Sequence, residues 1–331
     1  MTCLKTLTND APSVSIVIVG CNSLKHLSQC LLSVMKSSYP HFEIIYVDNG
    51  STDESTAYFQ TRAGKKGRTI QLDRNYGFTA ASNIGAGSAT GEYLVFLNVD
   101  TIVDSNWLEP LVTTLEKGPT VGAAQSLLLR MGTSQIDSMG GFITPYGTVL
   151  SSGYAENYRD SSGIVEVFYS KAAAMITRRS LWKSAGGFDP IFYLYYQETD
   201  YCWRLRAMGY RVLCVRDSKV WHEGGAVSGR QPGALKYYEA RERPMLLLKN
   251  YRVKRLIRLF PITICLQIGN SARFLLRGDP ASAANIMRGT ISTLTHFRII
   301  WKHRRDFSAD KVSENEILKM LMAVPRIRTF L

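Results

Sequence analysis

The sequence predicts an α/β fold on a mostly parallel sheet, followed by a basic helical region. Three observations carry that prediction. Apolar, β-branched runs alternate with helically spaced apolar segments over the first hundred residues, as in βαβ units. Several of those runs stop abruptly on polar residues. Finally, the charge is lopsided: residues 1–231 hold 21 Lys and Arg against 20 Asp and Glu, and residues 232–331 hold 19 against 7, within a total net charge of +13.

The elements follow in order. Val14–Val19, between Pro12 and Gly20, reads as a buried strand. Leu24, Leu27, Leu31, Leu32, Val34 and Met35 have helical spacing, and Pro40 follows. Phe42–Val47 is the second strand, and Thr52-Asp53-Glu54 opens a second helix. Thr69–Leu72 is a short third strand, residues 80–89 a helix of small residues, and Tyr93–Leu97 a fourth strand. Residues 120–230 predict short strands at Val121–Ala124, Val165–Phe168, Ala173–Ile176 and Arg211–Val215 between Gly-rich loops. A helix from about Thr199 to Met208 ends at Gly209, a C-terminal capping residue.

Ligands of parallel α/β sheets bind outside the carboxyl ends of the strands. Asn22, Asp48, and Asn98 with Asp100 follow three of the predicted strands, so they converge on one edge. Asp100 with His222 could hold a divalent cation, water and phosphate oxygens completing its shell. Glu198, at a helix N-terminus, could act as a general base. Glu198 and Asp200 also suit capping and dipole complementation, and a lone histidine is more often structural than a ligand. Spacing alone leaves both readings open. Neither GxxxxGK[ST] nor GxGxxG follows the first strand, which argues against a P-loop kinase and a dinucleotide dehydrogenase. The six cysteines form no CxxC pair and read as reduced core thiols in a cytosolic protein; the first residues lack the apolar region of a signal peptide.

Taken together, Val14–Asn22, Glu43–Asp53, Asn75–Asn83, Gly91–Asp100, Gly186–Asp189, Glu198–Arg204 and His222 resemble, in order and spacing over about residues 12–225, an inverting glycosyltransferase of family 2, close to its rhamnosyltransferase-like subgroup. The resemblance implies a GT-A fold, a Rossmann-like nucleotide-binding sheet merged with a smaller acceptor-binding part. It implies three segments: an extension at 1–12, the catalytic domain at 13–231, and the basic region at 232–331. Asn98-Val99-Asp100 stands where that family has its DxD motif, so Asp100 and His222 are the implied ligands of Mg²⁺ or Mn²⁺. Asn22, Asp48, Asp73, Arg74, Asn75, Asn83 and Asn98 are implied to line the nucleotide-sugar pocket, with Asp48 at the base. Glu198 falls on the catalytic carboxylate, and Asp200, Trp203 and Arg204 lie on the acceptor side. Gln197 replaces the first of two adjacent acids usual in the family, and Lys171-Ala172-Ala173 replaces a small Gly-Ala pair on the acceptor-side strand.

The implied reaction moves a sugar from a nucleoside-diphosphate donor to a hydroxyl of a lipid-linked or glycan acceptor in polysaccharide or glycolipid assembly. The donor stays open among dTDP-rhamnose, a UDP-hexose and GDP-mannose. A nucleotidyltransferase and a non-catalytic scaffold of the same fold are the alternatives. Residues 236–331 hold no 18-residue apolar run, so no spanning helix is expected. Apolar stretches among cations, Leu256–Ile268 and Phe297–Trp301, suit helices lying on an anionic membrane. On that reading the protein sits peripherally on the inner face of the cell membrane; the alternative is a packed helical subdomain with a solvated basic face. No motif for nucleic acid accompanies the charge.

Overall fold

The computed structural model describes residues 11–159, 162–224, 232–306, 308 and 310–322. The expected extension up to residue 10, with Cys3, lies outside them. The chain runs β1 (Val14–Gly20), α1 (Leu24–Met35), β2 (Phe42–Asn49), α2 (Ser55–Arg62), β3 (Gly67–Leu72), α3 (Phe78–Ser88), β4 (Tyr93–Asn98), β5 (Thr101–Val103) and α4 (Leu108–Lys117). Then come β6 (Val121–Arg130), β7 (Ile136–Ser138), β8 (Gly141–Ile143), β9 (Val149–Ser151), β10 (Ile164–Glu166), β11 (Ala174–Arg178), α5 (Arg179–Ser184), α6 (Gln197–Ala207) and β12 (Arg211–His222). The C-terminal part is helical: α7 (Pro232–Asn250), α8 (Val253–Leu276), α9 (Pro280–Thr295), α10 (Phe297–Lys302) and α11 (Glu314–Met322).

The main sheet has the order β10-β12-β6-β11-β4-β1-β2-β3, with β5 paired to β12 and β7 to β6. β3, β2, β1 and β4 are mutually parallel. β11 pairs antiparallel with both β4 and β6, and β12 runs parallel to β6. β12 therefore points the same way as β4, and His222 arrives at the same edge as Asn98. The inner strands β1, β2, β4, β6 and β11 are buried on both faces, which is why they read as continuous apolar runs, while the edge strands β3 and β10 are half-buried to exposed. Val14, Ile16 and Ile18 face one helical layer, and Val17, Ile45, Val47, Leu94 and Phe96 face the other.

Several predicted boundaries move. β6 and β12 run to Arg130 and His222, far beyond the expected ends at Ala124 and Val215, because their pairing resumes past an irregularity at 215–219. α6 begins at Gln197 rather than Thr199, so Glu198 and Asp200 both lie in its first turn. The reading of all cysteines as core thiols is also corrected. Cys30, Cys202 and Cys214 are buried free thiols, but Cys265 is exposed on α8.

The basic region is not an appendage. Met245, Leu246, Leu247, Leu248 and Tyr251 share a core with Phe168, Trp203 and Leu205 of the sheet domain. The expectation of no 18-residue apolar run there is corrected as well. Val253–Leu276 forms one 24-residue helix that meets the length and composition of a membrane span. Its few charges cluster near its ends, so the helix is more apolar than the whole tail.

Candidate active site

The site grows from the carboxyl edge of the sheet. β4 ends on Asn98, and Asp100 follows in a tight turn before β5 pairs back on β12, with Thr101 opposite His222. That register carries Asp100 and His222 together. Asp100 Oδ1 faces His222 Nε2 at 3.4 Å and otherwise has no hydrogen-bond partner. Asn98 Nδ2 lies 3.3 Å from the same ring nitrogen.

On its other side, His222 Nδ1 lies 3.0 Å from Asp137 Oδ2 on β7, which also accepts from Lys171 Nζ at 2.9 Å. Burial opposes a charged imidazole here, but the carboxylates of Asp100 and Asp137 outweigh it and hold His222 up to about 8. Burial likewise opposes charge on Asp137, yet His222 and Lys171 bring it down to about 2. Asp137 is the residue that sequence reasoning missed. Its only signal was an acid next to Ile136 in a three-residue strand, too short to show a period.

Glu198 sits on the first turn of α6, after Tyr196, a non-glycine residue at φ +65°. Positive φ is costly for such a side chain and recurs where geometry is functional. Glu198 is half-buried, and its Oε2 has no hydrogen-bond partner. Burial raises its carboxyl to about 7, against the opposing pull of a backbone hydrogen bond and of the Lys171 cation. Lys171 thus links Glu198 electrostatically to the Asp137–His222–Asp100 row. A carboxylate near 7 can take a proton at neutral pH. Asp100 and, on release of the proton its carboxylate neighbours favour, His222 offer one hard oxygen and one imidazole nitrogen, suited to a divalent cation. His222, held at Nδ1 by Asp137, matches the carboxylate–histidine arrangement that orients metal ligands. Among the described residues no group of three such side chains converges, so diphosphate oxygens and water would complete a shell.

The other expected residues divide. Asp73, Arg74 and Asn75 are exposed on the loop after β3, with Arg74 stacked 4.8 Å over Tyr76 and Asp73 accepting from the Tyr76 hydroxyl. Gly77 in this loop has φ +84°, and a Cβ there would meet the Tyr193 ring at 2.6 Å. Asn22, at φ +49°, accepts from the N–H groups of Thr52 and Asp53, so it clamps the turn after β2. Asp48 is buried, and both its oxygens are engaged, with the Ser51 N–H at 3.0 Å and the Thr56 hydroxyl at 2.7 Å. Asn83 grips both backbone groups of Phe188, donating at 2.7 Å and accepting at 3.1 Å. These three side chains shape loops from behind. Any contact of Asp48 with a base would come through the turn it holds.

The acceptor-side expectation for Asp200, Trp203 and Arg204 is corrected. Asp200 is fully buried and binds Arg204 Nε at 3.0 Å, Lys249 Nζ at 3.0 Å and Asn250 Nδ2 at 2.8 Å. Burial works against its charge, but Lys249 and Arg204 hold its carboxyl at about 2. Arg204 also ties the Ala185 and Gly187 carbonyls. Trp203 is buried edge-on against Phe168 and Tyr251. Helical periodicity explains the outcome: residues 200, 203 and 204 lie on the side of α6 opposite Glu198, where Asp200 meets Lys249 and Asn250 of α7, Trp203 meets Tyr251, and Arg204 meets the 185–187 turn.

The sequence model of glycosyl transferase family 2 matches residues 15–184. The O-antigen biosynthesis protein RfbC of Myxococcus xanthus is 32% identical over 232 residues, 65% of this chain and 18% of that protein. An uncharacterized glycosyltransferase of Haemophilus influenzae is 30% identical over 121 residues, 36% of this chain and 38% of that protein. The chain thus spans well under two thirds of the length of these relatives. Among solved structures, GalNAc-T7 with UDP, GalNAc and Mn²⁺ superposes with a TM-score of 0.55 at 20% identity, covering 65% of this chain and 44% of that one. The mannosyltransferase PcManGT from Pyrobaculum calidifontis, with GDP-Man and Mn²⁺, gives 0.53 at 16% identity, covering 88% and 91%. At these identities the likeness is one of fold, and that fold is the GT-A type.

Proposed function

The chain belongs to glycosyl transferase family 2, and we propose that it moves a sugar from a nucleoside-diphosphate donor to a hydroxyl of a lipid-linked glycan, with inversion, using Glu198 as general base. One observation carries the mechanistic part. A half-buried carboxylate with an unpartnered oxygen and a carboxyl raised to about 7 stands at a helix N-terminus, tied through Lys171 to the Asp100–His222 row. RfbC, named for O-antigen biosynthesis, supports a glycan-assembly role, and the neighbours holding UDP or GDP-Man support the donor class.

In this reading the exposed 73–75 loop and the edge at Asn98 receive the donor. The acceptor O–H gives its proton to Glu198 Oε2 while its oxygen forms the new bond to the anomeric carbon. The bond from that carbon to the diphosphate oxygen breaks, and its electron pair leaves with the diphosphate. Attack and departure lie on opposite faces, so the configuration inverts and no covalent enzyme intermediate forms. Asp100, whose buried Oδ1 lacks a hydrogen bond, and His222 would hold Mg²⁺ or Mn²⁺. Such an ion, when bound, neutralises charge on the diphosphate. Lys171 keeps Asp137 ionised beside His222, which in turn fixes the ring. The proposed place of action is the inner face of the cell membrane, in keeping with the buried free thiols.

The test is transfer of labelled sugar from a panel of nucleotide sugars into a membrane lipid extract. Wild-type protein should label the lipid phase with one donor. Glu198→Gln should cut transfer at least about a hundredfold, the scale of a lost general base, with nucleotide binding retained. Turnover that survives in Glu198→Gln would remove Glu198 from this role.

A further inference from the structure

We infer that α8 and α9 present an inside-out face that embeds in the hydrocarbon of an anionic lipid leaflet, lying in its plane rather than crossing it. This deepens the membrane part of the reading above, from a basic surface to a defined insertion face.

In a water-exposed helix, apolar residues point to the protein and polar ones to solvent. α8 does the reverse. Its buried positions are Leu256, Thr263, Gln267 and Ser271. The last two are anchored, Gln267 donating to the Ala240 carbonyl at 2.7 Å and Ser271 to the Ala283 carbonyl at 2.9 Å. Its outward positions include Ile257, 70% exposed, and Leu276, 89% exposed, with Ile262, Leu266 and Leu275 between them. α9 follows suit. Apart from Ile286, its inward residues are small or hydroxylated (Ala283, Gly289, Thr290, Thr293), and Ile291 and Leu294 face outward. Gly289 lies so close to α7 that a Cβ would sit 2.3 Å from the Tyr237 carbonyl oxygen. Close packing through small residues and hydroxyls, with aliphatic side chains outside, is how helices associate in lipid.

Charge and length choose the occupant and its orientation. Exposed Lys254, Arg258, Arg273, Arg277, Arg298 and Lys302 flank the apolar face, in a region carrying a net +12. Such cations suit anionic headgroups and would repel a second copy of the same face. The uncharged stretch of α8, Leu259–Ala272, spans about 21 Å at 1.5 Å per residue. That falls short of the roughly 30 Å hydrocarbon layer. Crossing would also strip Gln267 and Ser271 of their partners. The face adjoins the active site through the β8–β9 hairpin: Thr263 donates to the Tyr146 carbonyl, and the Gly141 N–H to the carbonyl of Tyr169, two residues before Lys171.

The experiment is co-sedimentation of the full chain with phosphatidylcholine vesicles, with and without phosphatidylglycerol. It is paired with fluorescence quenching by bromine-labelled lipid, for which the exposed Trp301 beside this face is the probe and Trp301→Phe the control. Binding should need phosphatidylglycerol, quench Trp301, and be released by alkaline carbonate. The triple variant Ile257→Glu, Leu266→Glu, Leu276→Glu should lose binding at least about tenfold while keeping its melting temperature, since those side chains touch no core. Binding unchanged in the triple variant would overturn the insertion face and leave charge alone. Resistance to carbonate would overturn the in-plane orientation. A dimer in solution that the triple variant dissociates, without vesicle binding by wild type, would give the face to a second copy. Vesicle binding without sugar transfer refutes the catalytic reading alone, and transfer to a soluble acceptor without vesicle binding refutes this one alone.

Discussion

Replacing Glu198 by Gln should stabilise the protein at alkaline pH while abolishing its chemistry. Burial raises the folded-state carboxyl to about 7 from an ordinary value of 4.5. Folding therefore favours the protonated acid. Below pH 4.5 both states are protonated and the site imposes no penalty. Between 4.5 and 7 the unfolded chain ionises first, and stability falls as pH rises; above 7 the full penalty is present. At 1.36 kcal/mol per unit that penalty is on the order of 3 kcal/mol, trimmed toward about 2 kcal/mol by solvent at the open rim. Gln copies the shape of the neutral acid and carries no such penalty. Urea denaturation at pH 5 and pH 8.5 should show wild type and variant nearly matched at the lower pH and the variant more stable at the higher. Wild-type kcat should rise tenfold per pH unit and level off above about 7, as the base ionises. A stability difference that does not change between pH 5 and 8.5 would refute the raised carboxyl, and with it the physical case for Glu198.

Three further outcomes follow from the same structure. Asp137→Asn loosens the hold on His222 and Lys171, and should weaken metal-dependent nucleotide binding about 10–100-fold; calorimetric titration with and without Mn²⁺ measures it. Lys249→Ala leaves Asp200 buried with a lost partner and should cost about 3–5 kcal/mol by chemical denaturation. Asn83→Ala frees both backbone groups of Phe188 and should cost about 1–3 kcal/mol in stability, with nucleotide affinity within about twofold of wild type.

The parallel half of the fold was legible because β1, β2 and β4 are buried along nearly their whole length and polar residues stand at or just past their ends. Asn98 and Asp100 were nominated because an amide and a carboxylate end an apolar run, and Glu198 because it stands at a helix N-terminus. His222 was identifiable only as part of an ordered set, since its partner Asp100 lies far away in sequence. Asp137 was not legible, because β7 is too short to carry a period. Asp48, Asn22 and Asn83 were read as ligand contacts, yet their hydrogen bonds go to backbone and hydroxyl groups of neighbouring loops. A sequence shows that a polar residue stands at a strand end, not which way its bonds run. The same limit misplaced Asp200, Trp203 and Arg204. The partners of Asp200 and Trp203, which are Lys249, Asn250 and Tyr251, sit in a tail whose basic composition suggested a separate region. The buried quartet Met245–Leu248 instead makes α7 part of the core.

The most direct measurement of the central claim is the thermal shift of the purified chain with UDP, dTDP, GDP and CDP, each with and without Mn²⁺, beside the Asp100→Ala variant. One diphosphate should stabilise the protein, the shift should require Mn²⁺, and Asp100→Ala should lose it. A shift that is the same without Mn²⁺ or in Asp100→Ala, or no shift with any diphosphate, would contradict the account.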